Sequence, residues 1–117
     1  MQERRQTVRA GTPILVEFPH PQTAKTERSF THDVSETGMR FPTTATLRVG
    51  QELSLQLELP FHDGVLRATG EVVWIREIAR FDTPHYDIGV RFRWIEDPDR
   101  QQLNRHLATL FHGKGVL

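Results

Sequence analysis

The chain is 117 residues long, 37% hydrophobic and 26% charged, proportions that suit one compact domain and leave no room for a second of ordinary size. It has no cysteine, which excludes a disulfide framework, a thiolate nucleophile and a cysteine-ligated metal. Its 15 Lys and Arg balance 15 Asp and Glu, so it lacks the basic excess of a nucleic-acid coat or a binder of anionic membranes, and no DNA or RNA partner is expected.

The first nine residues carry Arg4, Arg5 and Arg9 against Glu3. No apolar run follows, and nothing in the chain approaches the roughly 18 apolar residues of a membrane span. A cytoplasmic protein without membrane insertion is expected. With Val8 as the one aliphatic side chain between Met1 and Ala10, residues 1–11 read as a mobile arm ahead of the folded part.

Ile14, Val16 and Phe18 share one face of a first strand, closed by Pro19 and Pro21. A polar loop to Glu27 leads to a second strand over residues 28–34. Gly38 then restarts an extended segment, residues 39–41, that Pro42 is expected to end. The clearest strand spans residues 51–59, where Leu53, Leu55, Leu57 and Leu59 alternate with Ser54, Gln56 and Glu58. Asp63-Gly64 suits a tight turn with positive φ, so the next strand, residues 65–76, should return antiparallel. It places Leu66, Ala68, Gly70, Val72 and Trp74 on one side, and Gly70 marks a bulge or bend. The last strand, residues 86–95, alternates Ile88, Val90, Phe92 and Trp94 with Gly89, Arg91 and Arg93. Trp74, Phe92 and Trp94 are accordingly expected in the core.

The period then changes. Asp97 is a good N-cap with Pro98 at N1, and Leu103, Leu107, Leu110 and Phe111 form a helical apolar stripe over residues 97–112, stopped by Gly113 and Gly115. The expected fold is all-β: a small six-stranded antiparallel β-barrel spanning residues 12–95 with a C-terminal α-helix laid against it.

Thirteen of the 15 basic residues are Arg, the side chain suited to planar, bidentate contacts with phosphates and base edges. Arg5 and Arg9 form an RxxxR pair, but Arg76 and Arg80 form a second, so this spacing alone has little specificity. Asp33-Val34-Ser35-Glu36-Thr37-Gly38 is the stronger element. Asp33 and Ser35 can order a turn by bonding backbone N–H groups, and Gly38 can take positive φ or admit a close approach to the backbone. A carboxylate at Asp33 can also accept from the paired N–H groups of a guanine edge.

The two motifs together, Arg5xxxArg9 and then Asp33xSer35xxGly38 directly after a strand, resemble the signature of the PilZ domain family, receptors for the bacterial second messenger cyclic di-GMP. The strands Gly70-Glu71-Val72-Val73-Trp74 and Tyr86-Asp87-Ile88-Gly89-Val90-Arg91-Phe92 are similar to that family's late strands. The resemblance implies a six-stranded barrel with a C-terminal helix. Arg5 and Arg9 would hold the phosphates and guanine faces, Asp33, Ser35 and Gly38 would line the barrel side of the ligand, and Arg4 would be an additional contact. No cofactor is implied besides that ligand, and an effector protein would read the complex. Only four residues precede Arg5, so no N-terminal domain is expected in this chain.

Enzyme chemistry finds no support: the chain has no nucleophile elbow, P-loop, dinucleotide fingerprint or HExxH, and its histidines are scattered without metal-ligand spacing. The rival readings are a barrel used for protein–protein contact without nucleotide and an oligonucleotide-binding barrel. The latter needs exposed aromatics on a basic face, whereas the aromatics here follow the buried pattern.

Overall fold

The computed structural model describes residues 13–60, 62–80 and 83–115, with backbone alone for 79, 80 and 110–115. Seven strands are followed by one helix: β1 (Leu15–Pro19), β2 (Thr26–Phe30), β3 (Asp33–Val34), β4 (Gly38–Thr43), β5 (Glu52–Glu58), β6 (Leu66–Arg80), β7 (Pro84–Ile95) and α1 (Asp97–Gly115). The strands form one antiparallel sheet in the order β2-β1-β5-β6-β7-β4-β3.

The sheet corrects the expected six-stranded barrel. It curls, but β2 and β3 remain its two ends rather than neighbours in a ladder. The expected second strand is cut in two because the chain changes partner at Thr31 and His32. Thr31 N donates to Ile14 O at 3.0 Å, and Ile14 N donates to Thr31 Oγ1 at 3.0 Å, which ends the pairing with β1. His32 N then donates to Arg40 O at 2.8 Å, and β3 continues along β4.

Pro42 lies inside β4 instead of ending it. Its carbonyl accepts from Ser29 Oγ at 2.6 Å, and a strand residue points its N and O to the same side. The missing N–H therefore faces the gap between β4 and β2, where no ladder needs it.

The alternation of β5 is observed as expected: Leu53, Leu55 and Leu57 are buried and join Val16, Phe18, Phe41, Leu66, Val72, Ile88 and Val90 in one core. Gly64 has φ of +94° in the β5–β6 connection, as the Asp-Gly pair predicts. Two register shifts between β6 and β7 overturn the placement of the tryptophans. One lies at Thr69/Gly70, beside the glycine expected to mark a bulge, and the other at Val72/Trp74. Each inserts one unpaired residue, Arg93 on β7 and Val73 on β6, and so reverses which side chains face inward beyond it. Ile95 and Ile75 therefore turn to the core side, whereas Trp94 and Trp74 stand 53% and 40% exposed; Phe92 packs against the core as expected.

The helix begins at Asp97 as expected, but its cap falls one residue earlier than predicted, on Glu96, whose carbonyl accepts from Arg100 N at 2.8 Å. It also runs through Gly113 to Gly115, because an interior glycine costs a helix only about 1 kcal/mol and does not stop it alone. Of the predicted stripe, Leu103 and Leu107 are buried in the common core, and the side chains of Leu110 and Phe111 lie outside those described. Asp99 Oδ2 accepts from Arg67 N at 3.0 Å and ties the first helical turn to β6.

Candidate functional site

Asp33, Ser35 and Gly38 come together in the β3–β4 hairpin, while Arg4, Arg5 and Arg9 lie outside the described residues. The hairpin closes through Ser35 N, which donates to Gly38 O at 2.8 Å. Ser35 Oγ accepts from Thr37 N at 3.3 Å and lies 3.1 Å from Thr37 Oγ1, so the serine orders the turn as a side chain can when the backbone reverses within four residues.

Gly38 is needed for a different reason from the positive φ considered above. Its φ is not positive; a Cβ there would run into the carbonyl oxygen of Val90, with Arg91 Cα 3.1 Å away. The glycine lets the turn lie against β7, and Phe92 N donates to Thr37 O at 2.8 Å to hold it there.

Asp33 pairs in register with Arg40, whose Nε lies 3.0 Å from Asp33 Oδ2. Arg40 also donates from Nη1 to Asp87 Oδ2 at 3.0 Å, and Arg76 Nη2 donates to the same oxygen at 3.3 Å. Asp87 is 2% exposed, with His32 Nδ1 3.8 Å from its other oxygen. A carboxylate so buried needs compensating charge, which the two guanidinium groups provide.

Asp33 and Arg40 rim a cleft of about 330 Å³, lined also by Ser35, Thr37 and Gly38 from the hairpin and by Val73, Trp74, Gly89, Val90 and Arg91 from β6 and β7. The Trp74 indole lies over Gly89, where a Cβ would meet its ring. Arg91, the register partner of Gly38, reaches Glu71 Oε1 at 3.4 Å, beside the shorter contact of 2.6 Å from Arg93. Hydrogen bonds from Arg93 and then Arg91 hold the Glu71 carboxyl below the usual carboxylate range. A hollow of about 350 Å³ around Ser54, Thr69 and Trp94 contains none of the motif residues.

The cleft thus offers a flat aromatic face, a carboxylate and two guanidinium groups around a rigid turn, suited to a planar base linked to an anion. Trp74, Arg40 and Arg91 are the residues that the motifs did not supply. Arg40 was legible by counting back across a hairpin from Asp33. The outward turn of Trp74 was signalled only by Gly89, a glycine inside a strand where a neighbour approaches closely. No group of three or more metal-ligating side chains occurs among the described residues, and no described helix is long and apolar enough to cross a membrane.

Solved structures share this architecture at low sequence identity. The Bacillus subtilis inhibitor of motility MotI/DgrA aligns with a TM-score of 0.75 and 19% identity over 97% of this chain and 54% of its own. K. pneumoniae MrkH in its apo state gives 0.77 and 18% over 97% and 55%. The chain therefore spans about half the length of these two proteins. The PilZ domain of Escherichia coli YcgR, solved with c-di-GMP, gives 0.67 and 20% over 96% of this chain and 95% of that one. No curated protein matches the chain in sequence. The model of the PilZ domain, however, matches residues 3–109, a span that takes in both motifs, the whole curled sheet and most of the helix, and the chain belongs to the PilZ domain family.

Proposed function

We propose that this chain is a non-catalytic cytoplasmic receptor for cyclic di-GMP that relays the level of the messenger to an effector protein. The observation that carries the reading is the ordered Asp33-to-Gly38 turn on the rim of a cleft with an exposed indole and guanidinium groups. A cyclic dinucleotide presents two guanine faces and two phosphates. Trp74 offers a stacking surface for one face, and Asp33 an acceptor for a guanine N–H edge.

Arg4, Arg5 and Arg9 complete the proposed site from the preceding segment. Ile14 is fixed to Thr31, two residues from Asp33, so the segment enters the fold beside the turn. Arg9 is five residues before Ile14, a span of at most about 18 Å, which keeps it within reach of the cleft. A nucleic-acid strand fits less well despite the two exposed tryptophans, because the indoles sit in separate hollows and Glu71 pairs the cations between them.

Isothermal titration with cyclic di-GMP tests the reading. Saturable binding is expected, and Arg5→Ala or Arg9→Ala should each weaken it by about 1.5–3 kcal/mol, the value of a charge-assisted hydrogen bond. Their melting temperatures should barely move, as for most surface substitutions. Absence of heat with the unaltered protein would leave the nucleotide-independent interaction module as the better account.

A further inference from the structure

Two guanidinium groups share one oxygen beside the cleft. Glu71 on β6 lies opposite Arg91 on β7, and Arg93, two residues farther along β7, reaches over the same face. Both bonds end on Glu71 Oε1, from Arg93 Nη1 at 2.6 Å and from Arg91 Nη2 at 3.4 Å. The shorter one already gives the carboxylate a charge-assisted hydrogen bond. The other is longer than an N–H···O bond ordinarily runs and comes from a side chain that is 60% exposed. The two arginines rank in the same order in holding the Glu71 carboxyl below its usual range, Arg93 first and Arg91 second. They differ in place as well: Arg91 lines the cleft, whereas neither Arg93 nor Glu71 does. Across β4 its register partner is Gly38, which has no side chain to stand between the guanidinium and the Asp33-to-Gly38 turn.

We infer that Arg91 is a phosphate contact that waits on Glu71 and transfers to the ligand as it enters, so that Glu71 sets the affinity of the cleft from outside it. The inference rests on the receptor reading above and gives that site a further phosphate contact and a positioning residue. The exchange is balanced at both ends. Arg91 gives up one long bond to a carboxylate for a phosphate, which a guanidinium can meet with two parallel N–H groups. Glu71 keeps the shorter bond from Arg93, so the departure of Arg91 does not strand a shielded carboxylate without a cation, the result that makes breaking such pairs costly.

Glu71→Gln keeps the length of the side chain and an acceptor for Arg93 but removes the charge that retains Arg91. Cyclic di-GMP should bind this variant about fivefold more tightly, the change that about 1 kcal/mol of surface ion pairing produces. Arg91→Gln should weaken binding about tenfold or more, as loss of a charge-assisted contact does. When Arg91→Gln is already present, Glu71→Gln should gain nothing, because the cation it releases is gone. Glu52 separates this effect from general charge: it is exposed and lies opposite Glu71 on β5, one strand farther from Arg91. Glu52→Gln should change affinity less than about twofold at physiological salt, where exposed charges are screened.

Titration of the unaltered protein and these four variants, with circular dichroism to confirm folding, reads the outcome. A measurement on the unaltered protein does not depend on any variant: the Nε–H resonance of Arg91 should shift on saturation with cyclic di-GMP, while that of Arg93 stays in place. Unchanged affinity in Glu71→Gln, an equal gain in Glu52→Gln, a gain that persists without Arg91, full binding by Arg91→Gln, or a stationary Arg91 resonance would each overturn the inference while leaving the receptor reading intact. No binding by the unaltered protein would overturn both.

Discussion

Gly38 sits where the hairpin carrying the motif lies flat on the backbone of β7. The atom that a methyl group would meet is the carbonyl oxygen of Val90, which cannot rotate aside as the end of a flexible side chain can. Gly38→Ala should therefore part β4 from β7 at the Gly38–Arg91 pair and destabilise the fold by about 1–3 kcal/mol, the usual cost of forcing extra volume into a packed site. Urea denaturation measures the loss. A midpoint equal to that of the unaltered protein would mean that the two strands part there at no cost. The neighbouring serine differs in kind: its hydroxyl organises the turn locally without pressing on another strand, so the two motif residues secure one loop by separate means.

The helix illustrates how an element can be stabilised by burial and carry a titratable group at the same time. Leu103 and Leu107 enter the core at 1% and 7% exposure, and His106 follows them onto the half-buried flank, where its Nε2 has no hydrogen bond among the described residues. Burial holds the His106 imidazole below its ordinary pKa, and the nearby His62 adds to the effect. The unfolded chain takes up the proton with an ordinary value near 6.5, so it binds more protons than the native state just below that pH. Stability is then fully present above about pH 6.5 and is lost as pH falls toward the lowered native value. His106→Leu should flatten this fall. Comparison of urea midpoints at about pH 7.5 and 5.5 checks it, and an identical drop in both proteins would assign the dependence elsewhere.

At this scale the sequence was informative wherever one period ran undisturbed. The four leucines of β5, the strand-to-helix change after Ile95 and the Asp-Gly turn were all legible because each obeys a local rule. Trp74 and Trp94 were not, since a single unpaired residue, Val73 or Arg93, inverts the alternation beyond it and leaves the apolar pattern looking continuous. The Asp33-to-Gly38 turn was legible as a motif, but its ionic support was not. Asp87 lies far from Asp33 in the chain, and only the sheet order brings β7 beside β4.

For the whole molecule the decisive feature is a sheet whose ends approach without joining. β2 and β3 terminate it, yet Thr31 and His32 alone connect them, so the curl closes through the covalent chain. Between β2 and β4 side chains stand in for the missing ladder. Ser29 Oγ donates to Pro42 O, and the Glu27 carboxylate accepts from Thr43 Oγ1 at 2.8 Å and from Thr44 N at 3.3 Å. Farther along, the Gln22 amide both donates to Thr46 O and accepts from Thr46 N, each at 3.0 Å, much as a paired strand residue would. A seam made of side chains can open without disturbing the β5–β6–β7 ladders, which places it at the low-stability end of local unfolding. Glu27→Ala removes two accepted hydrogen bonds across the seam and should cost about 1–3 kcal/mol, chiefly by leaving the hydroxyl of the buried Thr43 without its acceptor. Native-state hydrogen exchange reads where that cost falls. The amides of Thr44, Ala45 and Thr46 should exchange faster in the variant, while Val72 and Val90 in the centre of the sheet exchange as before under conditions where local opening dominates. Equal acceleration of both groups would show that the seam and the ladders open together, and that the molecule behaves as one cooperative barrel despite its interrupted hydrogen bonding.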